Sequence, residues 1–157
     1  MQFARRAVPR LAGMAVALLL AVPAFLVVRD LTYHPHHWLD FSDAALAEAR
    51  ASGKPVLVEF TADWCGNCHF VEGLVLNNRG VVAALQKHDV VMVKADVTRD
   101  DAPAKPLLGV LSPAGAIPLT VIYSPRRDAP IMLRGIYSRD ELKKAVEDAA
   151  QPAVART

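Results

Sequence analysis

Apolar residues fall into three rhythms along this chain. The first is an unbroken run. From Leu11 to Val28 no residue carries a charge, and Arg5, Arg6 and Arg10 stand on its amino side. The second is the short apolar block: Val56-Leu57-Val58-Glu59-Phe60, Val90 to Ala95, Leu119 to Tyr123 and Ile131 to Ile136 each read as a strand. The third is helical spacing. Ser42 caps a helix to about Ala51 with Ala45, Leu46 and Ala49 on one face. Another helix begins near Cys65 and runs through Leu76, disturbed at Gly73; Asn77-Asn78 interrupt it, and Val81 to Lys87 resume. Asp100 to Leu111 gives a short helix. Ser138-Arg139-Asp140-Glu141 has capping-box spacing ahead of Leu142, Ala145, Val146 and Ala149.

The order is helix, strand, helix, strand, helix, strand, strand, helix. Strands separated by helices predict parallel pairing through right-handed crossovers. The last two strands, joined by the short turn Ser124-Pro125-Arg126-Arg127-Asp128, predict an antiparallel edge. The expected architecture is a central mixed β-sheet flanked by helices, preceded by one hydrophobic N-terminal helix. The domain boundaries follow: 1–29 a membrane anchor or signal segment, 30–41 a linker, 42–150 the folded domain, 151–157 a tail.

The uncharged run of residues 11–28 has about the minimum length that spans a bilayer as a helix. Its arginines favour a cytoplasmic amino end, which places everything after Arg29 in a periplasm-like space. A cleaved signal peptide is the competing reading, with Val22-Pro23-Ala24 as its cleavage site. Phe25 to Val28 carry the run past that site, which favours an uncleaved single-span anchor in the inner membrane. Secretion to the periplasm after cleavage is the alternative. Either reading puts the chain in an oxidising compartment.

The chain has 157 residues, of which 53% are hydrophobic, enough for one domain with a core of its own. Its formal net charge of +2 is small, and no basic stripe is interleaved with aromatics, so nucleic-acid binding has no support. His34, His36 and His37 lie close together, but no cysteine or carboxylate cluster completes a metal shell around them. They read as a juxtamembrane stretch with Tyr33 and Trp38 near the headgroups.

Cys65 and Cys68 are the chain's only cysteines, within Trp64-Cys65-Gly66-Asn67-Cys68. With no other thiol there is no disulfide framework to build, and so small a loop gains little entropic stabilisation from a crosslink. The spacing suits electron exchange better than stapling. At a helix start Cys65 meets unsatisfied backbone N–H groups and the positive end of the helix dipole, which favour its thiolate. Cys65 is then the attacking thiol. Cys68, one turn on and on the same face, resolves the mixed disulfide. An inert disulfide or half of a zinc site are the alternatives; His69 and His88 match no common zinc spacing.

Ala62-Asp63-Trp64-Cys65-Gly66-Asn67-Cys68 after an apolar strand, with Ile117-Pro118 ahead of a later one, resembles the thioredoxin superfamily. The stretch from Gly53 to Cys65, and Val97-Thr98-Arg99-Asp100-Asp101-Ala102 after the second strand, is most similar to the carboxy-terminal periplasmic domain of the DsbD family of thiol:disulfide interchange proteins. The resemblance covers roughly residues 42–150; the multi-span membrane domain of that family has no counterpart in these residues.

The resemblance implies a thioredoxin-like fold and a protein-disulfide reductase that works by dithiol exchange without a cofactor. It implies partners among disulfide-containing exported proteins. It also implies a membrane electron donor like the DsbD or CcdA membrane domain, with cytochrome c biogenesis as one destination. An oxidant or isomerase, or a non-catalytic binding scaffold, are the alternatives.

Several site residues follow from it. Glu59, an acid inside an apolar strand, matches the buried acid that handles the proton of the resolving cysteine, and Lys94 is its candidate partner. Ile117-Pro118 matches the cis-proline loop, whose backbone pairs with an incoming peptide. Trp64 packs over the motif as lid and contact surface. Gly66 and Asn67 tune the redox potential. His69 adds charge when protonated, though a solvated helix position is its plainer reading; Glu72 raises the cysteine pKa by repelling thiolate, with a solvated helix position an equal reading.

Overall fold

The computed structural model describes residues 37–151; the uncharged run at 11–28 and the tail from 152 lie outside the described residues. The elements are β1 (Trp38–Asp40), α1 (Asp43–Ala51), β2 (Val56–Thr61), α2 (Gly66–Val71) running into a π turn (Glu72–Leu76), α3 (Arg79–Lys87), β3 (Val91–Asp96), α4 (Lys105–Leu111), β4 (Leu119–Tyr123), β5 (Ile131–Arg134) and α5 (Arg139–Ala150). The strands form one sheet in the order β1-β3-β2-β4-β5. β1 and β2 each run parallel to β3, whereas β4 is antiparallel to both β2 and β5.

The predicted mixed sheet is therefore present, with three differences. The far end of the stretch expected to be a linker supplies β1, an edge strand paired with β3 from Trp38↔Met92 to Asp40↔Lys94. It is three residues long and too short to show a period. A helix separates β3 from β4, yet β4 lies against β2 and runs opposite to it, so the parallel rule holds for β1, β2 and β3 and fails at β4. The helix expected over 100–111 begins at Lys105, with Pro106 in its first turn, where a missing N–H breaks no helical bond.

Local chemistry explains the ends of the helices. Ser42 Oγ accepts from the Ala45 N–H at 3.0 Å, and Asn78 Oδ1 accepts from the Gly80 N–H at 3.0 Å. Ser138 and Glu141 complete the predicted capping box on α5. The disturbance expected at Gly73 is the π turn, where the backbone slips by one residue before Asn77.

Alternation along the strands divides the core into two layers. Val56, Val58 and Phe60 of β2, Val93 and Ala95 of β3, and Leu119 and Val121 of β4 pack with Leu46 and Ala49 of α1 and Leu108 of α4. Leu57, Met92 and Ile122, at intervening positions, pack with Val71, Val75, Leu85, Leu142 and Val146 on the helices of the other face. Cys65 and Cys68 close one end of the first layer.

Candidate active site: a disulfide at the head of a helix

β2 delivers the chain to this end of the sheet, and backbone contacts fix the turn that follows. The Val97 N–H donates to Thr61 O at 2.9 Å and the Cys65 N–H to Ala62 O at 3.0 Å. The Asp63 N–H donates to Thr98 Oγ1 at 2.9 Å, and the Thr98 N–H to Asp96 Oδ1 at 2.7 Å. Thr98 thus braces the active-site turn from the segment that follows the neighbouring strand. The sequence reading noted its stretch and missed this role.

Cys65 is the N-cap of α2 and is joined to Cys68 by a disulfide. The Cys68 N–H points at Cys65 Sγ at 3.2 Å, as the N3 donor of a capped helix does. The two cysteines are unequally buried: Cys65 is 7% exposed and Cys68 0%. Trp64 is 66% exposed. It faces solvent beside the motif and does not fold down as the expected lid.

The Ile117–Pro118 peptide bond is cis. Pro118 immediately precedes Leu119, which pairs with Phe60 at the end of β2 that leads to the cysteines. Ile117 packs against the same apolar cluster as Cys65 and Cys68. The proline loop and the disulfide therefore share one end of the sheet. An open cleft of about 540 Å³ lies at the other end, where Val56 and Tyr123 begin and finish their strands, beside Arg50, Lys54 and Arg127.

A polar row crosses the second face. Glu59 pairs in register with Lys94 on β3 and Thr120 on β4. Glu59 is 0% exposed, and its Oε2 accepts from the Thr120 hydroxyl. Thr120 Oγ1 in turn bonds the Tyr137 hydroxyl. Glu59 Oε1 has no hydrogen-bond partner among the described residues.

Burial is the largest influence on Glu59 and pushes its carboxyl up to about 8. The Thr120 hydrogen bond and Lys94 oppose that rise, and Glu72 adds to it. Burial and the neighbouring Glu59 likewise hold the Tyr137 phenol above its ordinary range.

Lys94 was expected to pair with Glu59. Its ammonium instead meets Glu72, with Nζ 2.7 Å from Oε1. Both of these side chains reach solvent, and a strongly hydrated ammonium is held there more cheaply than against a sealed carboxyl. His69 is exposed. Its Nε2–H donates to Asp63 O at 2.9 Å, and its Nδ1 lies 3.9 Å from Glu72. Gly66 and Asn67 form the exposed first turn of α2 between the two cysteines. Thr120 and Tyr137 were missed in the sequence because Thr120 is a single hydroxyl inside an apolar strand and Tyr137 a lone tyrosine just ahead of the α5 capping box. Among the described residues no group of His, Cys, Asp and Glu is arranged to hold a metal ion.

This arrangement, a mixed sheet with a helix-capping Cys-x-x-Cys pair facing a cis-proline loop, defines the thioredoxin class of α/β protein. A family model described as Thioredoxin-like matches residues 37–125, and the chain belongs to that family. It is similar to the thiol:disulfide interchange protein DsbD of Ralstonia nicotianae, 39% identical over 94 residues, which are 59% of this chain and 15% of that protein. DsbD 1 of Pseudomonas aeruginosa is 37% identical over 86 residues, 55% of this chain and 14% of that protein. The chain thus spans about one-seventh of the length of these relatives.

Among solved structures, the C-terminal domain of Neisseria meningitidis DsbD superposes in its reduced form with a TM-score of 0.54 at 24% identity, covering 71% of this chain and 99% of that one. Its oxidised form gives 0.55 at 23% identity, covering 72% and 99%. These likenesses carry the fold. Among the described residues no helix is long and apolar enough to cross a membrane.

Proposed function

We propose that this protein is a thiol–disulfide oxidoreductase that reduces disulfides of exported partner proteins. The observation that carries the reading is the unequal burial of two disulfide-linked cysteines one helical turn apart, on the same apolar cluster as a cis-proline loop. In the reduced form Cys65, the less buried of the two residues, attacks a partner disulfide as thiolate. The Cys68 N–H beside its sulfur favours that charge. Cys68 then attacks Cys65, closing the pair and releasing the reduced partner.

Glu59 is the base for Cys68, since it is a buried acid with one oxygen uncommitted. Ile117, Pro118 and Trp64 form the partner surface, where main-chain pairing makes recognition broad. Gly66, Asn67, His69, Glu72 and Lys94 tune the pair. No cofactor enters the exchange.

The placement we propose is a domain of residues 42–150 held at the inner membrane by residues 11–28 and facing the periplasm. Secretion after signal cleavage remains the alternative. A membrane donor like that of the DsbD relatives would recharge the pair, and apocytochrome thiols are one destination. Insulin-disulfide reduction tests the reading. Cys65→Ser should abolish turnover and Cys68→Ser should trap mixed disulfides; a variant pair that retains turnover would refute it.

A further inference from the structure

The second layer of the core is apolar but for one seam. Thr120 and Glu59 are fully buried and Tyr137 nearly so, surrounded by Leu57, Ile122 and Leu142. Burying three polar side chains costs stability unless each finds partners. The Tyr137 hydroxyl and Thr120 Oγ1 are bonded, and Thr120 Oγ1 is bonded to Glu59 Oε2. A hydroxyl both donates and accepts. With Glu59 ionised, the string runs one way: Tyr137 donates to Thr120, and Thr120 donates to Oε2. That direction stabilises a carboxylate, because hydrogen bonds to a charged acceptor are the stronger kind. Oε1 is left outside the string.

Resting on the exchange reading above, we propose that Thr120 and Tyr137 are positioning residues of the reaction: their hydroxyls bind Oε2 of Glu59 as a charge-stabilising string and leave Oε1 as the oxygen that takes the proton. In the resolving step Cys68 gives its proton to Oε1 and attacks Cys65 Sγ of the mixed disulfide. The bond between Cys65 and the partner breaks, and the Cys65–Cys68 bond forms. Two electrons pass from the pair to the partner, which leaves as a thiolate and then collects the proton. Without the string, burial would push the Glu59 carboxyl higher still, and fewer molecules would hold it ready to accept. Glu72 and Lys94 are the charged groups whose fields reach Glu59, with opposite signs.

The test is a carboxyl ¹³C NMR titration of Glu59 in the full chain, in both redox states, in the parent, Thr120→Val, Thr120→Ser and Tyr137→Phe. Thr120→Val should raise the Glu59 midpoint by about one pH unit, a tenfold change in proton affinity. Tyr137→Phe should raise it by less, and Thr120→Ser should return the parental value. The pH profile of insulin reduction should move in step, and Glu59→Gln should remove the effect of either hydroxyl variant. Folded Tyr137→Phe and Thr120→Val proteins with an unmoved midpoint would overturn the proposal, as would an unchanged shift of the pH profile in the Glu59→Gln background. Should Thr120→Val not fold, Tyr137→Phe decides alone. A parent that reduces no insulin defeats the exchange reading instead, and the titration still reports on the string.

Discussion

The two layers that flank the sheet are built differently. The layer capped by Cys65 and Cys68 is hydrocarbon from Val56 to Phe60 and from Leu119 to Val121. The opposite layer is hydrocarbon too, but Glu59, Thr120 and Tyr137 run through it, and Lys94 and Glu72 border it. One layer supplies stability by burial alone. The other gives some up, because a carboxyl sealed from water holds its proton far above its ordinary range. Buried groups so perturbed are where a fold trades stability for proton chemistry.

The contrast can be broken from either side. Phe60→Ala, in the hydrocarbon layer, should have the largest effect, a loss of about 3–5 kcal/mol in denaturant titrations. That loss should be the same at pH 5 and pH 8, since no titrating group is removed.

Glu59→Gln should behave in the opposite way. The folded carboxyl titrates near 8 and the unfolded one near 4.5. Between those values the unfolded chain has lost a proton that the folded chain keeps, so this group's contribution to stability falls as pH rises. The slope is about 1.4 kcal/mol per pH unit. Stability curves of parent and variant should therefore diverge from pH 5 to pH 8, with the variant the more stable at pH 8. Parallel curves would remove the polar seam from the account.

Two smaller changes sharpen the picture. Ser138→Ala removes the capping box that starts α5 over the second layer, and should cost about 1 kcal/mol in thermal or urea unfolding at neutral pH. Lys94→Met should change stability by less than about 1 kcal/mol, since its ion pair with Glu72 is partly solvated. It should nonetheless move the Glu59 midpoint upward, because a lowering charge is lost; added salt should shrink that shift.

The legible and illegible parts of the sequence separate along the same physical line. Strands β2, β3 and β4, the helix opened by Cys65 and the α5 capping box were legible because local composition and spacing specify them. The cis-proline loop was legible through its resemblance to the family. β1 was not, since three residues in an aromatic and histidine-rich stretch become a strand only by docking on β3. The direction of β4 depends on which strand it finds, not on its own residues.

The polar seam joins residues 61 and 17 positions apart, and nothing near Thr120 or Tyr137 in the chain announces the other. Lys94 shows the limit most plainly. Register places it beside Glu59, as expected, but its long stem carries the ammonium outward to Glu72.

The most direct test of the central claim is the alkylation of the reduced, folded protein by iodoacetamide, followed by mass spectrometry at each sulfur. One fast adduct at Cys65, with Cys68 labelled only after unfolding, is the predicted result. Equal labelling of both sulfurs, or resistance of both, would contradict it.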